Sequence, residues 1–300
     1  MANNTRRDRL SALPDAVLIR ILSHLPTDEA VCTIVLSRRW RRLYAAVPVV
    51  DLVDPNVGER CGFDTPPICF DQKATRPLAA PIRAFRLDVY HPTRTLLGQW
   101  IVIALTSGAE ELDVKLRLQE SSGLRRCPFA PYEEASADFD KGDQGRYIRT
   151  YPHMFRSATL RRLSLSRWRL DLPQVSVASL ETLALHRIMG SGDALRRLIS
   201  SCPSLVNLTL EECPGVTKLT VPSAWLQSFA MVCCHNATSV VLQGRRLRSL
   251  RYKGGLPRDR SFLSVDNHAA LAAVTVDICE DVEQARTPRD VAPVTELLGM

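Results

Sequence analysis

The chain has 300 residues, 45% of them apolar and 24% charged, with a formal net charge of +7. This is the composition of an ordinary globular protein, and it excludes wholesale disorder, collagen-like repeats and long coiled coils. No apolar run approaches the roughly 18 residues needed to span a bilayer. Arg6, Arg7, Asp8 and Arg9 lead into no apolar core, so the N-terminus predicts no signal peptide. The chain has 9 cysteines, none in a C-x-x-C pair. They predict buried, free thiols in a reducing compartment, the cytoplasm or nucleus, and no metal site.

From Leu13-Pro14 the pattern turns helical. Pro14 suits a helix start and Asp15 complements its dipole. Leu18, Ile21, Leu22 and Leu25 recur at spacings of three and four, one apolar stripe that Pro26 ends. Thr27-Asp28-Glu29 reads as a cap and acidic first turn for a second helix carrying Val31, Ile34, Val35 and Leu36. Ser37 is placed to cap a third, with Trp40, Leu43, Tyr44 and Val47 on one face before Pro48. Such a module is too small for a large core of its own, so some apolar side chains are expected to face a partner or the next domain.

These residues resemble an F-box. The match runs through Leu13-Pro14-Asp15, Ile21-Leu22-Ser23-His24-Leu25-Pro26 and Val35-Leu36-Ser37-Arg38-Arg39-Trp40-Arg41-Arg42-Leu43. The resemblance implies docking to the Skp1-type adaptor of a cullin–RING ubiquitin ligase. Carried over residue by residue, the adaptor-binding positions are Leu13, Pro14, Ile21, Leu22, Leu25, Pro26 and Val35. Leu36 and Trp40 are expected in the module's own core.

Residues 51–81, rich in Pro and Gly, read as a linker with one short strand. Beyond it L-x-x-L-x-L units recur. The strong ones start at Leu160, Leu180, Leu205, Leu226 and Leu247; weaker ones start at Ile82, Ala109 and Leu271. Most steps fall in or near the 20–29 residue period of leucine-rich repeats. A second register, Val216-Leu219-Val221 and Ala237-Val240-Leu242, predicts strands on the opposite side of those turns. Residues 192–199 and Thr95 to Leu105 read as helical return legs. Residues 119–152 lack the period and are expected to form an exposed inserted loop; their D-F-D-K-G-D-Q-G string departs from a calcium loop at its fifth, sixth and twelfth positions.

The order of modules is similar to the plant F-box/leucine-rich-repeat (F-box/LRR, FBD-like) class. The fold class expected is α/β: a three-helix F-box over 1–50, a linker, then an irregular leucine-rich-repeat solenoid over 82–300, with the acidic C-terminal residues as its cap. No metal, triad or phosphate-loop spacing is present, so no cofactor and no enzymatic step are expected. The resemblance implies a substrate receptor that binds the adaptor, through it cullin and RING subunits, and an unidentified target protein. The alternatives are a non-catalytic scaffold or decayed receptor that does not direct ubiquitination, a small-molecule sensor, and, last, a nucleic-acid binder.

Charge locates the target side. Residues 155–260 carry 16 basic and 6 acidic side chains. With Leu208 and Leu210 pointing inward, strand alternation turns Asn207, Thr209 and Glu211 outward. The same offset selects Arg162, His186, Arg251 and Lys253, so a predominantly basic strip is expected, with Glu211 the exception. Such a strip suits an acidic or phosphorylated target element.

Overall fold

The computed structural model describes residues 9–10, 12–53, 81–90, 92–117, 148–171, 174–255, 262–266 and 270–279. Helices α1 (Asp15–Leu22), α2 (Thr27–Cys32) and α3 (Arg38–Ala45) come first, with a 3-10 turn at Thr33–Val35. Leu18 and Leu22 of α1 pack with Ala30, Trp40, Leu43, Tyr44 and Val47 into a small core that continues onto Val49 and Ala84. Ser37 caps α3, its hydroxyl accepting from the Trp40 N–H at 3.4 Å. Thr27 does not cap α2; Pro26 holds that position. The buried Thr27 hydroxyl instead accepts the Asp51 N–H at 2.7 Å. That satisfies a donor on an edge strand and joins the helices to the sheet.

Among the described residues the main sheet is parallel and has nine strands. Its members, in spatial order, are β1 (Val49–Val53), β2 (Ala84–Tyr90), β3 (Glu111–Arg117), β5 (Arg162–Ser166), β7 (Thr182–His186), β8 (Asn207–Glu211), β10 (Ser228–Val232), β12 (Ser249–Gly254) and β14 (Ala273–Ile278). A pair of two-residue strands, β4 (Ile148–Arg149) and β6 (Trp168–Arg169), lies apart. The three-stranded sheet of β9 (Lys218–Val221), β11 (Ser239–Leu242) and β13 (Leu263–Val265) forms on the return side. Helices α4 (Arg94–Thr106) and α5 (Gly192–Ser200) serve the earlier turns. Both predicted return legs and both second-register strands are therefore found, and β13 extends that register by one.

The register explains the leucine period. Val50, Phe85, Leu112, Leu163, Leu183, Leu208, Phe229, Leu250 and Val274 are successive in-register neighbours, one per strand. A second column, two residues on, runs from Leu52 to Val276. These columns form the floor of one continuous core closed by α4, α5 and the second sheet. Val274, at the far edge, is exposed.

A repeated turn ends the central strands. Arg167, Arg187, Glu212 and Cys233 come directly after β5, β7, β8 and β10, all with left-handed backbone at φ 65, 51, 48 and 54. Each donates its N–H to a carbonyl at the end of the next strand, the last one in β7, β8 and β10 and the last but one in β12: to His186, Glu211, Val232 and Lys253, at 2.9, 2.8, 2.8 and 2.6 Å. The ladder of bonds offsets the roughly 1–2 kcal/mol that this conformation costs a residue with a Cβ. The next residue of each turn, Trp168, Ile188, Cys213 or Cys234, returns to the core. Gly215 packs so closely on Gly190 that a Cβ would lie 2.1 Å from the Gly190 carbonyl oxygen.

Besides the Thr27 cap, three expectations change. The strand at the helix–linker boundary begins at Val49, not within a linker from 51, and pairs along its full length with β2. The end of the expected 119–152 loop is ordered: Ile148–Arg149 pairs with Trp168–Arg169, and a 3-10 turn spans Pro152–Phe155. Leu36 leaves the helical core and is 61% exposed. The remaining linker, most of the expected loop and the acidic C-terminal cap lie outside the described residues.

Candidate functional site

Two surfaces emerge from the fold. The first lies on the N-terminal helices. Leu18 and Leu22 face the core, so Val17 and Ile21, one position away from each, are turned outward. Val35, 82% exposed, and Leu36 add to the exposed apolar side chains of this module. Pro14 and Pro26 are exposed at the starts of α1 and α2, and Leu13 and Leu25 are half-buried against the small core. Of the seven expected adaptor positions, Leu22 is corrected. At 1% exposure it is a core residue that no partner reaches in the folded module.

Arg39 sets this surface, and no sequence signal singles it out. Its guanidinium bonds Asp15 Oδ1 through Nε at 2.8 Å and Nη2 at 2.6 Å, and Nη2 also donates to the Leu13 carbonyl at 2.6 Å. The fork ties α3 to the turn at Leu13-Pro14 and so fixes where Pro14 and the exposed face of α1 stand.

The second surface is the outward face of the large sheet. Three rows of in-register side chains cross it. One holds Glu111, Arg162, Thr182, Asn207, Ser228 and Ser249; the next Asp51, Arg86, Asp113, Ser164, Ala184, Thr209, Ala230, Arg251 and Thr275; the third Asp88, Lys115, Ser166, His186, Glu211, Val232, Lys253 and Asp277. All five expected target residues lie here. They do not form one basic strip. His186 Nδ1 sits 3.2 Å from Glu211 Oε2, and Lys253 Nζ 2.8 Å from Asp277 Oδ2. The Asp277 hydrogen bond and charge push the Lys253 ammonium above its ordinary range. Arg162 stands four strands from Arg251, about 19 Å at the usual strand spacing.

Toward β1 to β3 the face is charge-balanced. Arg86 lies 3.9 Å from Asp51 and 3.7 Å from Glu111, Arg117 Nε bonds Asp88 at 2.6 Å, and Lys115 sits 3.8 Å from Asp113. Burial raises the Asp51 carboxyl above the usual range, with the Arg86 charge opposing. The middle of the face, from β5 to β10, carries small side chains at Ser164, Ser166, Ala184, Thr209 and Ala230. Arg162 and Arg251 pair with no carboxylate among the described residues, whereas His186 and Lys253 each stand beside one.

The cysteines sit elsewhere. Cys202, Cys213 and Cys234 are buried in the core, and burial pushes the Cys202 thiol up to about 12. Among the described residues no group of three or more His, Cys, Asp and Glu is disposed to hold a metal ion, and no helix is long and apolar enough to cross a membrane.

Comparison with known proteins agrees with both halves of this layout. The F-box domain matches residues 10–43, and the leucine-rich repeats of the FBD-associated F-box protein At5g56370 match residues 141–271. The chain is 34% identical over 224 residues to the Arabidopsis thaliana F-box/FBD/LRR-repeat protein At5g56420, covering 72% of this chain and 47% of that one. It is 32% identical over 222 residues to F-box/LRR-repeat protein At4g14096 of the same plant, covering 70% and 41%. A longer match, 27% over 289 residues, covers 90% of the chain and 58% of F-box/FBD/LRR-repeat protein At2g26030. The chain thus spans about half the length of these relatives. An apolar helical module with the F-box pattern, joined to stacked leucine-lined strands of the FBD-associated type, places this chain in the F-box/LRR family.

Proposed function

We propose that this chain is the substrate-receptor subunit of an SCF-type cullin–RING ubiquitin ligase. The three helices form its F-box, and the stacked turns form an irregular leucine-rich solenoid that begins with β1. The observation that carries the reading is the set of exposed apolar side chains on these helices, Val17, Ile21, Val35 and Leu36, together with a Leu13-Pro14 turn clamped by Arg39. A surface of this kind, on a module whose core is otherwise complete, is what a protein partner would bury. The Skp1-type adaptor is that partner. The outward sheet face holds a target protein.

No bond chemistry falls to this chain. It acts by raising the local concentration of a target lysine beside a charged ubiquitin-conjugating enzyme. Work in the cytoplasm or nucleus accords with that role. The test is capture from plant cells of proteins bound to the tagged chain, with and without proteasome inhibition. Captured targets should accumulate on inhibition with the wild type and be indifferent to it with Ile21→Asp/Val35→Asp. If they are indifferent with both, the chain is a scaffold that does not direct ubiquitination.

A further inference from the structure

We propose that the entry end of β10 and β12, where Trp225, Arg246 and Arg248 precede the outward residue Arg251 of the sheet face, docks an acidic, Asp/Glu-rich segment of the captured protein. The proposal rests on the target-binding reading of this face and gives that partner a chemistry.

Arginines here differ from those of β1 to β3. On β1 to β3 every outward Arg and Lys lies beside a carboxylate: Arg86 by Asp51 and Glu111, Lys115 by Asp113, Arg117 by Asp88. At the opposite end Arg246, Arg248 and Arg251, all exposed and close in sequence, meet no carboxylate among the described residues. Their acidic neighbours are committed: Asp277 to Lys253 and Glu211 to His186. Among the described residues, positive charge therefore exceeds negative at the entry end of β12, and such an excess matches a segment rich in carboxylates.

The surroundings favour binding over mere solvation. Arg251 lies in register between Ala230 and Thr275, and Ser249 between Ser228 and Ala273. These side chains are too short to screen the guanidinium, so a bound strand-like segment could run past it along a shallow floor. Arg248 stands at the entry to β12, its N–H bonded to the Gln227 carbonyl at 2.8 Å. Arg246 is stacked on Trp225, its guanidinium carbon 4.2 Å from the ring centroid. Stacking leaves the edge donors of the guanidinium free for a carboxylate and reduces the freedom lost on pairing. Trp225 itself is 49% exposed, a large aromatic at the rim of a charged patch, and this is a composition found at interface anchors.

The experiment measures anisotropy of three fluorescein-labelled probes with the full chain. One is a 15-residue peptide of Glu and Asp with Ser and Gly spacers, one its Gln/Asn counterpart, and one a 15-nucleotide single-stranded RNA. The acidic peptide should bind and the amide peptide should not, with Kd rising at least about threefold between 50 and 200 mM salt. Arg248→Glu/Arg251→Glu should weaken binding at least about tenfold and Trp225→Ala about threefold. Arg197→Glu/Lys218→Glu makes the same change in net charge on exposed residues of α5 and β9, off this face, and should change it less than twofold. Equal losses in both double variants, no binding of the acidic peptide, or tighter binding of the RNA through the same residues would overturn the proposal. Adaptor binding, measured on the same preparations, should be unchanged in every variant. Its absence from the wild type would count against the proposed function and not against this docking site.

Discussion

Leu208→Ala should be among the most costly single changes in the chain, and the stacked register says why. Leu208 is buried in β8, in register with Leu183 on one side and Phe229 on the other, so neither neighbour can be replaced by water. The substitution removes three buried carbons. At about 0.8 kcal/mol each, transfer alone gives about 2.4 kcal/mol. The cavity, walled by parallel strands that hold one another in place, adds to this and brings the expected loss to roughly 3–5 kcal/mol. Val274→Ala occupies the same column at the exposed edge on β14 and should cost less than about 1 kcal/mol. Urea unfolding monitored by circular dichroism measures both. A Leu208→Ala loss below about 1 kcal/mol, or equal losses at the two sites, would refute a single stacked core.

Four further outcomes are expected. Thr27→Val should destabilise by about 1–3 kcal/mol, because it leaves the Asp51 N–H without its acceptor; an unchanged urea midpoint would show that the joint does not depend on this bond. Gly215→Ala should lower Tm more than any exposed Gly→Ala change, since its methyl would fall on the Gly190 carbonyl; calorimetry of the variant checks it. Asp51 has a folded carboxyl raised by burial, so its contribution to stability is greatest in acid and is lost as pH rises through that raised value. Asp51→Asn should therefore raise Tm relative to wild type more at pH 7 than at pH 3.5, and the opposite order would contradict the assignment. Iodoacetamide at pH 8 should alkylate the exposed Cys32 quickly in the native protein and leave Cys202 untouched, as peptide mass spectrometry would register.

Much of the fold is legible because the core of a parallel stack repeats itself. Each L-x-x-L-x-L unit becomes one turn, and even the weak Ile82 and Ala109 units place Phe85, Leu87, Leu112 and Val114 in the core. The left-handed turns are not legible, since Arg167, Arg187, Glu212 and Cys233 carry none of the Gly or Asn signal that marks such a backbone. Their conformation is imposed by bonds to the next strand, which no local pattern encodes. The helical stripe of α1 defines a face but not its limits: it groups Leu22, which is core, with Ile21, which is exposed. Charge on the sheet face misleads for a similar reason. Lys253 and His186 look available along the chain, but their partners Asp277 and Glu211 arrive from neighbouring strands about 24 residues away. What survives as an available charge is decided by register, and register is a property of the assembled sheet.

Isothermal titration of the purified chain with a Skp1-type adaptor tests the central claim most directly. The account predicts a one-to-one complex that Ile21→Asp/Val35→Asp abolishes, since both side chains are exposed and their replacement leaves the core of Leu18, Leu22, Trp40 and Leu43 intact. A folded double variant that binds the adaptor as tightly as the wild type would contradict it, as would a folded wild-type chain that does not bind.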